Sequence, residues 1–141
     1  MLEEISKRIA EYLGVDVLPI EYDNNIVDDN RLVTEGKSKI IINQKYKKNY
    51  LETVKSITHE YRHVFQLYWV ILMPNDELAK LWKEELIKAK TGNEKGYNLQ
   101  TFELDAFAFT QVFLAREGVK IKHPNIKYQE LIYIKRYKRF L

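Results

Sequence analysis

The sequence predicts an α+β fold in a single domain, and three observations support this. A chain of 141 residues with 45% hydrophobic content has the size and the apolar surface for one globular domain with its own core. Helical periodicity occupies both ends of the chain, whereas short β-like runs separated by turn residues fill the stretch between them. The predicted order is one helix, a small sheet and then four further helices.

The first helix covers residues 2–13, where Ile5, Ile9 and Leu13 share one face and Gly14 ends the element. Three short β-like runs follow, with polar turn residues between them. Their sequences are VDVLPIEYD, RLVTEG and KSKIIIN.

The remaining chain predicts helices over residues 49–72, 76–90, 98–117 and 126–140. Pro74 ends the first of these and Gly118 ends the third. This region contains the residues that carry chemistry.

The composition excludes several classes of protein. There is no cysteine, so disulfides, thiolate catalysis and cysteine-bound zinc are excluded. The N-terminal MLEEISKRIAEYLG is a charged amphipathic helix rather than a signal peptide. The longest apolar run, VFQLYWVILMP, is shorter than the roughly 20 residues of a membrane span. We therefore expect a soluble, cytoplasmic protein without membrane partners.

The stretch THEYRHVF contains the pattern HExxH, formed by His59, Glu60 and His63. Two imidazoles four residues apart on a helix can reach one metal ion, and the glutamate lies beside them, where it can take a proton from water. The chain has only 3 histidines, which makes a chance match rare. A helical wheel places the apolar stripe on the opposite face: Val54, Ile57, Tyr61, Val64, Tyr68 and Leu72.

A catalytic zinc ion needs a third protein ligand, and the sequence leaves a downstream carboxylate as the main candidate. The metzincin extension would need Gly and His where Gln66 and Trp69 stand. Glu103 and Asp105 interrupt the apolar run LQTFELDAFAFTQVFLA, and a buried carboxylate must be paired or metal-bound. Pairing with Arg62 or Arg116 is the alternative for each. The other acids of this region have polar neighbours and are expected to be solvated: Asp76, Glu77, Glu84, Glu85 and Glu94.

HEYRH followed about forty residues later by ELDAFAF resembles the compact gluzincin-like zinc peptidases, namely the ImmA/IrrE type and the minigluzincins. The ExxA element also resembles that of the membrane-bound CAAX-processing peptidases. The resemblance implies a zincin-like core with KIIIN edging the cleft. It implies zinc held by His59, His63 and Glu103, with Ala106 as the alanine of ExxA and Glu60 as the general base. It also suggests an association with a phage or another mobile element.

The sequence departs from these families at Phe107, where Asp or Asn often orients a histidine ligand. Orientation must then come from Asp105 or from a backbone carbonyl. Tyr97 and His123 are candidates for stabilising the transition state, and an ordinary loop position is the alternative for each.

The expected function is a zinc metallopeptidase acting on a peptide or protein substrate. The alternative is a module that binds nucleic acid or an acidic partner and keeps a latent or structural metal site. Its basis is charge: residues 127–141 carry a net charge of +4, and the other 126 residues sum to −1. Over this binding function we favour an ordinary C-terminal helix that packs on the domain through its apolar side and leaves its basic side in solvent. The apolar side is Tyr133, Ile134, Tyr137 and Phe140, and the basic side is Lys135, Arg136, Lys138 and Arg139.

Overall fold

The computed structural model describes residues 2–23, 32–35, 39–90 and 101–140, and it confirms the α+β class. Each of the predicted helices is present, with ends within three residues of those expected. The helices are α1 (Leu2–Leu13), α2 (Tyr50–Leu72), α3 (Glu77–Lys90), α4 (Thr101–Arg116) and α5 (Ile126–Phe140). The strands are β1 (Ile20–Asp23), β2 (Leu32–Glu35) and β3 (Lys39–Asn43).

The chain divides into two compact units, Met1–Val64 and Phe65–Leu141, and the division falls within α2. The first unit holds α1, the sheet and the HExxH segment. The second holds the end of α2 with α3, α4 and α5. The expectation that residues 1–141 act as one domain stays a prediction.

The sheet of the first unit has the strand order β1-β3-β2. Strand β3 runs parallel to β1, where Ile20 faces Ile40, and antiparallel to β2. The isoleucines of KIIIN are buried, as expected for a central strand. The expectation that this strand edges a cleft is wrong, because β1 and β2 occupy both of its sides.

One face of α1 and one face of α2 supply much of the core of the first unit. The hydroxyl of Tyr61, which is fully buried, lies 2.5 Å from Ser6 Oγ and accepts a hydrogen bond from the Leu18 backbone N–H at 2.9 Å. Gly14 ends α1 at a φ of 71°, a conformation that favours glycine.

The predicted apolar stripe of α2 is correct for its first half and wrong at its end. The stripe residues from Val54 to Val64 are buried, whereas Leu72 is 71% exposed. Periodicity alone does not show where a long helix extends beyond the elements that pack against it.

Two acids that were expected to be solvated instead accept hydrogen bonds from backbone N–H groups at helix N-termini in the second unit. Asp76 Oδ2 accepts hydrogen bonds from the Ala79 backbone N–H at 3.1 Å and from Trp69 Nε1 at 3.0 Å, which caps α3. The two carboxylate oxygens of Glu85 accept the backbone N–H groups of residues 101 and 102, each at 2.9 Å. Glu77 and Glu84 are exposed, as predicted, and Glu94 lies outside the described residues.

Helix α5 packs against α4 through Tyr128 and Ile132, which join Ala108 in a buried cluster. The predicted packing side is therefore wrong where it can be checked: Tyr133 is 62% exposed and Ile134 is 50% exposed. Tyr128 and Ile132 lie on a different side of the helix from these two exposed residues.

Candidate metal centre

The two histidines of HExxH lie side by side on α2, in the first unit. His59 Nε2 and His63 Nε2 are 3.1 Å apart, and the ring centroids are 4.7 Å apart with the ring planes nearly perpendicular. Two nitrogen ligands of a tetrahedral zinc ion, each about 2.0–2.1 Å from the metal, lie about 3.3 Å from each other. The pair is therefore spaced to chelate one ion through its Nε2 atoms. A hydrogen bond between the rings also fits this distance.

Glu60 completes the cluster from the same helical turn. Its Oε2 lies 3.8 Å from His63 Nε2, and the ligand atoms of the three residues all lie within 4.8 Å of one another. The side chain is only 13% exposed. A carboxylate that is partly shielded from water and lies beside two imidazoles is well placed to accept a proton at this position.

Hydrogen bonds in the surrounding turns of α2 determine the direction of the helix face that carries the cluster. Tyr61, between Glu60 and the second histidine, anchors the opposite face through its buried hydroxyl. Thr58 Oγ1 donates to the Val54 carbonyl at 2.7 Å, so this hydroxyl is bound within its own helix. The histidines themselves are half-buried.

Glu103 and Asp105 lie on α4, in the second unit, and both are buried. About 200° of helix rotation separates them, so they face different directions. Whether Glu103 is the third ligand stays a prediction, as does an orienting role for Asp105 toward a histidine.

Asp105 has a structural partner that sequence analysis did not assign. The Gln66 side-chain Nε2 donates to Asp105 Oδ2 at 2.9 Å and to the Phe102 carbonyl at 2.8 Å. Gln66 is itself 2% exposed. The signal was present in the sequence, because Gln66 is a polar residue at the start of the apolar run QLYWVIL, but its partner is 39 residues away.

His123 lies in the second unit, between α4 and α5. Its ring contacts Phe107 and Tyr128 edge-on, with centroids 5.2 Å and 4.7 Å away. Its Nδ1 accepts the Asn125 backbone N–H at 3.1 Å, so the neutral ring carries its proton on Nε2. A role at the transition state stays a prediction for His123, and Tyr97 lies outside the described residues. Phe107 packs here on aromatic neighbours, His123 and Tyr128.

No family model, no curated protein and no solved structure matches this chain. Among the described helices, none combines the length and the apolar character that a membrane crossing requires. The function must therefore be inferred from the site itself.

Proposed function

We propose that the protein is a zinc-dependent peptidase of the gluzincin-like type. The observation that carries this proposal is the pair of Nε2 atoms, 3.1 Å apart, with the Glu60 carboxylate beside them. In a zinc hydrolase with the HExxH pattern, two histidine ligands and the acid beside the first of them lie on one helix.

The chemistry of the donors fits zinc. His59 and His63 offer neutral imidazole nitrogens, and the chain has no thiolate to compete for a soft metal. Glu103 would supply the carboxylate of a two-histidine, one-carboxylate set. Bound zinc would supply a Lewis acid that polarises a peptide carbonyl and makes water more acidic.

The roles of the chain's own residues follow from their positions. Glu60 would accept a proton at its carboxylate from the attacking water and later return it to the departing amine. The histidines would hold their Nε2 atoms toward a common point, and Tyr61 would keep the helix from rotating by anchoring its far face. The helix, sheet and helix order of the first unit supports a zincin-like core, and a phage or mobile-element setting is part of the same proposal.

The test is metal analysis of the purified protein, coupled to hydrolysis of an unstructured protein substrate with and without chelator. We expect about one zinc per chain and activity that chelation removes and zinc restores. Glu60→Gln is the matched control, because it is nearly isosteric but cannot act as the base. Metal content near zero after zinc reconstitution would contradict the proposal, as would hydrolysis that survives in this variant.

Two exposed residues of α5 favour a second candidate function, binding to an acidic partner such as nucleic acid. Tyr133 and Ile134 are 62% and 50% exposed on the helix that carries the basic excess. Aromatic and basic residues close together in one helix are typical of nucleic-acid-binding segments. Affinity for DNA that falls steeply with salt, and that is lost when Lys135 and Arg136 are changed to Glu, would support this function. Binding that is insensitive to salt would contradict it.

A further inference from the structure

Residues 36–51, which include β3 and the first two residues of α2, are a strongly basic stretch of the first unit. They contain five lysines and no acid, a net charge of +5. The rest of the unit Met1–Val64 has five basic and eleven acidic side chains, a net charge of −6. Near its end the basic stretch reads KYKKNY, residues 45–50. Basic residues interleaved with aromatic ones are typical of segments that bind nucleic acid.

The connector between β3 and α2, residues 44–49, is held by hydrogen bonds at both of its ends. The Asn43 side chain accepts a backbone N–H of the connector at 3.0 Å, and the Asn49 side chain accepts a backbone N–H of α2 at 3.1 Å. In between, the Tyr46 carbonyl accepts a hydrogen bond from the hydroxyl of the buried Thr53 at 2.9 Å. The lysines of the connector are therefore carried on a backbone of defined shape.

The three lysines of the connector, Lys45, Lys47 and Lys48, are exposed. Lys45 Nζ lies 5.0 Å from the ring centroid of Tyr46, and Lys47 Nζ lies 5.9 Å from that of Tyr22 on β1. Contact with an aromatic face attracts an ammonium group without neutralising its charge. The connector therefore carries three positive charges within four residues.

Tyr50 follows the connector and supplies an aromatic face. It is the first residue of α2 and is 51% exposed, whereas Tyr22 and Tyr46 are half-buried. The unpaired bases of a single strand can stack on an exposed ring while lysines contact the phosphates beside them. A duplex keeps its bases stacked on one another, and an acidic peptide has none, so the combination of lysines and ring favours a single strand.

We propose that the connector and Tyr50 form a binding surface for single-stranded nucleic acid. The three lysines would contact phosphate groups, and the Tyr50 ring would stack on a base. This surface uses none of the residues of α5, and it does not depend on the proposed peptidase function.

The test is the fluorescence anisotropy of a labelled oligothymidylate of about 15 nucleotides, titrated with the full chain at several salt concentrations. Each phosphate contact with a single strand contributes about 0.7 to the slope of log Kd against log salt concentration. Changing Lys45, Lys47 and Lys48 together to Gln should therefore lower this slope by about 2. Wild-type protein that does not bind the probe, or a slope that stays unchanged in the variant, overturns the proposal.

The matched control is the same change at three exposed lysines of α3, namely Lys80, Lys83 and Lys88. It alters the net charge of the protein equally, and it should leave the slope as it is in the wild type. An equal loss of slope in both variants shows a general effect of net charge and overturns the assignment to the connector.

Variants of Tyr50 test the stacking contact without changing any charge. Tyr50→Ala should weaken binding about 5- to 150-fold, which is the worth of one stacked base, and should leave the salt slope unchanged. Tyr50→Phe keeps the ring and should bind like the wild type. Wild-type affinity in Tyr50→Ala, or equally tight binding of poly-glutamate of the same length, shows a surface for acidic chains in general and overturns the proposal. Glu60→Gln should bind the oligothymidylate like the wild type, so a failure of the peptidase function leaves this result in place.

Discussion

Replacing each acid of α4 in turn separates a metal ligand from a structural acid. Both Glu103 and Asp105 are buried, at 3% and 0% exposure, so burial does not distinguish them. We predict that Glu103→Ala loses zinc and that Asp105→Ala keeps it. Removal of a ligand should weaken zinc binding at least about 100-fold, since even the partners of ligands are worth about 10- to 100-fold.

The cost of Asp105→Ala follows from its contact with Gln66. The 2.9 Å bond between the Asp105 carboxylate and the Gln66 amide would be lost, while the amide keeps its 2.8 Å bond to the Phe102 carbonyl. A hydrogen bond to a charged group contributes about 1.5–3 kcal/mol. We expect the free energy of unfolding to fall by about 2 kcal/mol, or the melting temperature by about 8 °C. Asp105→Asn retains an oxygen acceptor and should lose less.

The assay is zinc content and zinc affinity of the folded variants, with urea unfolding measured in parallel. Folded Asp105→Ala protein without zinc, together with zinc-loaded Glu103→Ala protein, would refute the reasoning. The ligand assignment would then be reversed, and α4 would present its other face to the metal.

Three further outcomes are expected. Glu60→Gln should keep its zinc while peptidase turnover falls about 10²- to 10⁴-fold, measured with the unstructured substrate. Chelation should lower the melting temperature, because zinc present at 100 times its Kd stabilises the folded state by about 2.7 kcal/mol; superimposable melting curves would contradict metal binding in the folded state. Glu85→Ala should lower the free energy of unfolding by about 2 kcal/mol through the two lost bonds to α4 amides, whereas the exposed neighbour Glu84→Ala should change it by less than about 0.5 kcal/mol in urea titrations.

The helices of this chain could be predicted from sequence because their signals are local. Helical periodicity, Pro74 and the two glycines with positive φ gave ends that agree with the structure to within three residues. The HExxH pair is local in the same sense: helix geometry alone brings two imidazoles four residues apart to one face, and the structure places their Nε2 atoms 3.1 Å apart.

The predictions that were wrong concern residues whose partners lie far along the chain. Asp76 and Glu85 have polar neighbours in sequence, yet both hold helix ends in the folded chain. Strand β3 has the composition of any buried strand, and only pairing with β1 and β2 makes it central. The packing side of α5 was misassigned because both of its sides carry aromatic residues, and the contact with Ala108 selects Tyr128 and Ile132.

The short distance between His59 Nε2 and His63 Nε2 has a consequence for the metal-free protein. Only one hydrogen atom fits between two nitrogens 3.1 Å apart, so two neutral rings must adopt opposite tautomers. In that arrangement one ring would carry its hydrogen on Nε2 and the other on Nδ1. A metal bound to both Nε2 atoms would require both hydrogens on Nδ1, so loading moves a hydrogen across one ring without releasing it. Nitrogen NMR of the two imidazoles should show two unlike rings before zinc is added and two alike rings afterwards.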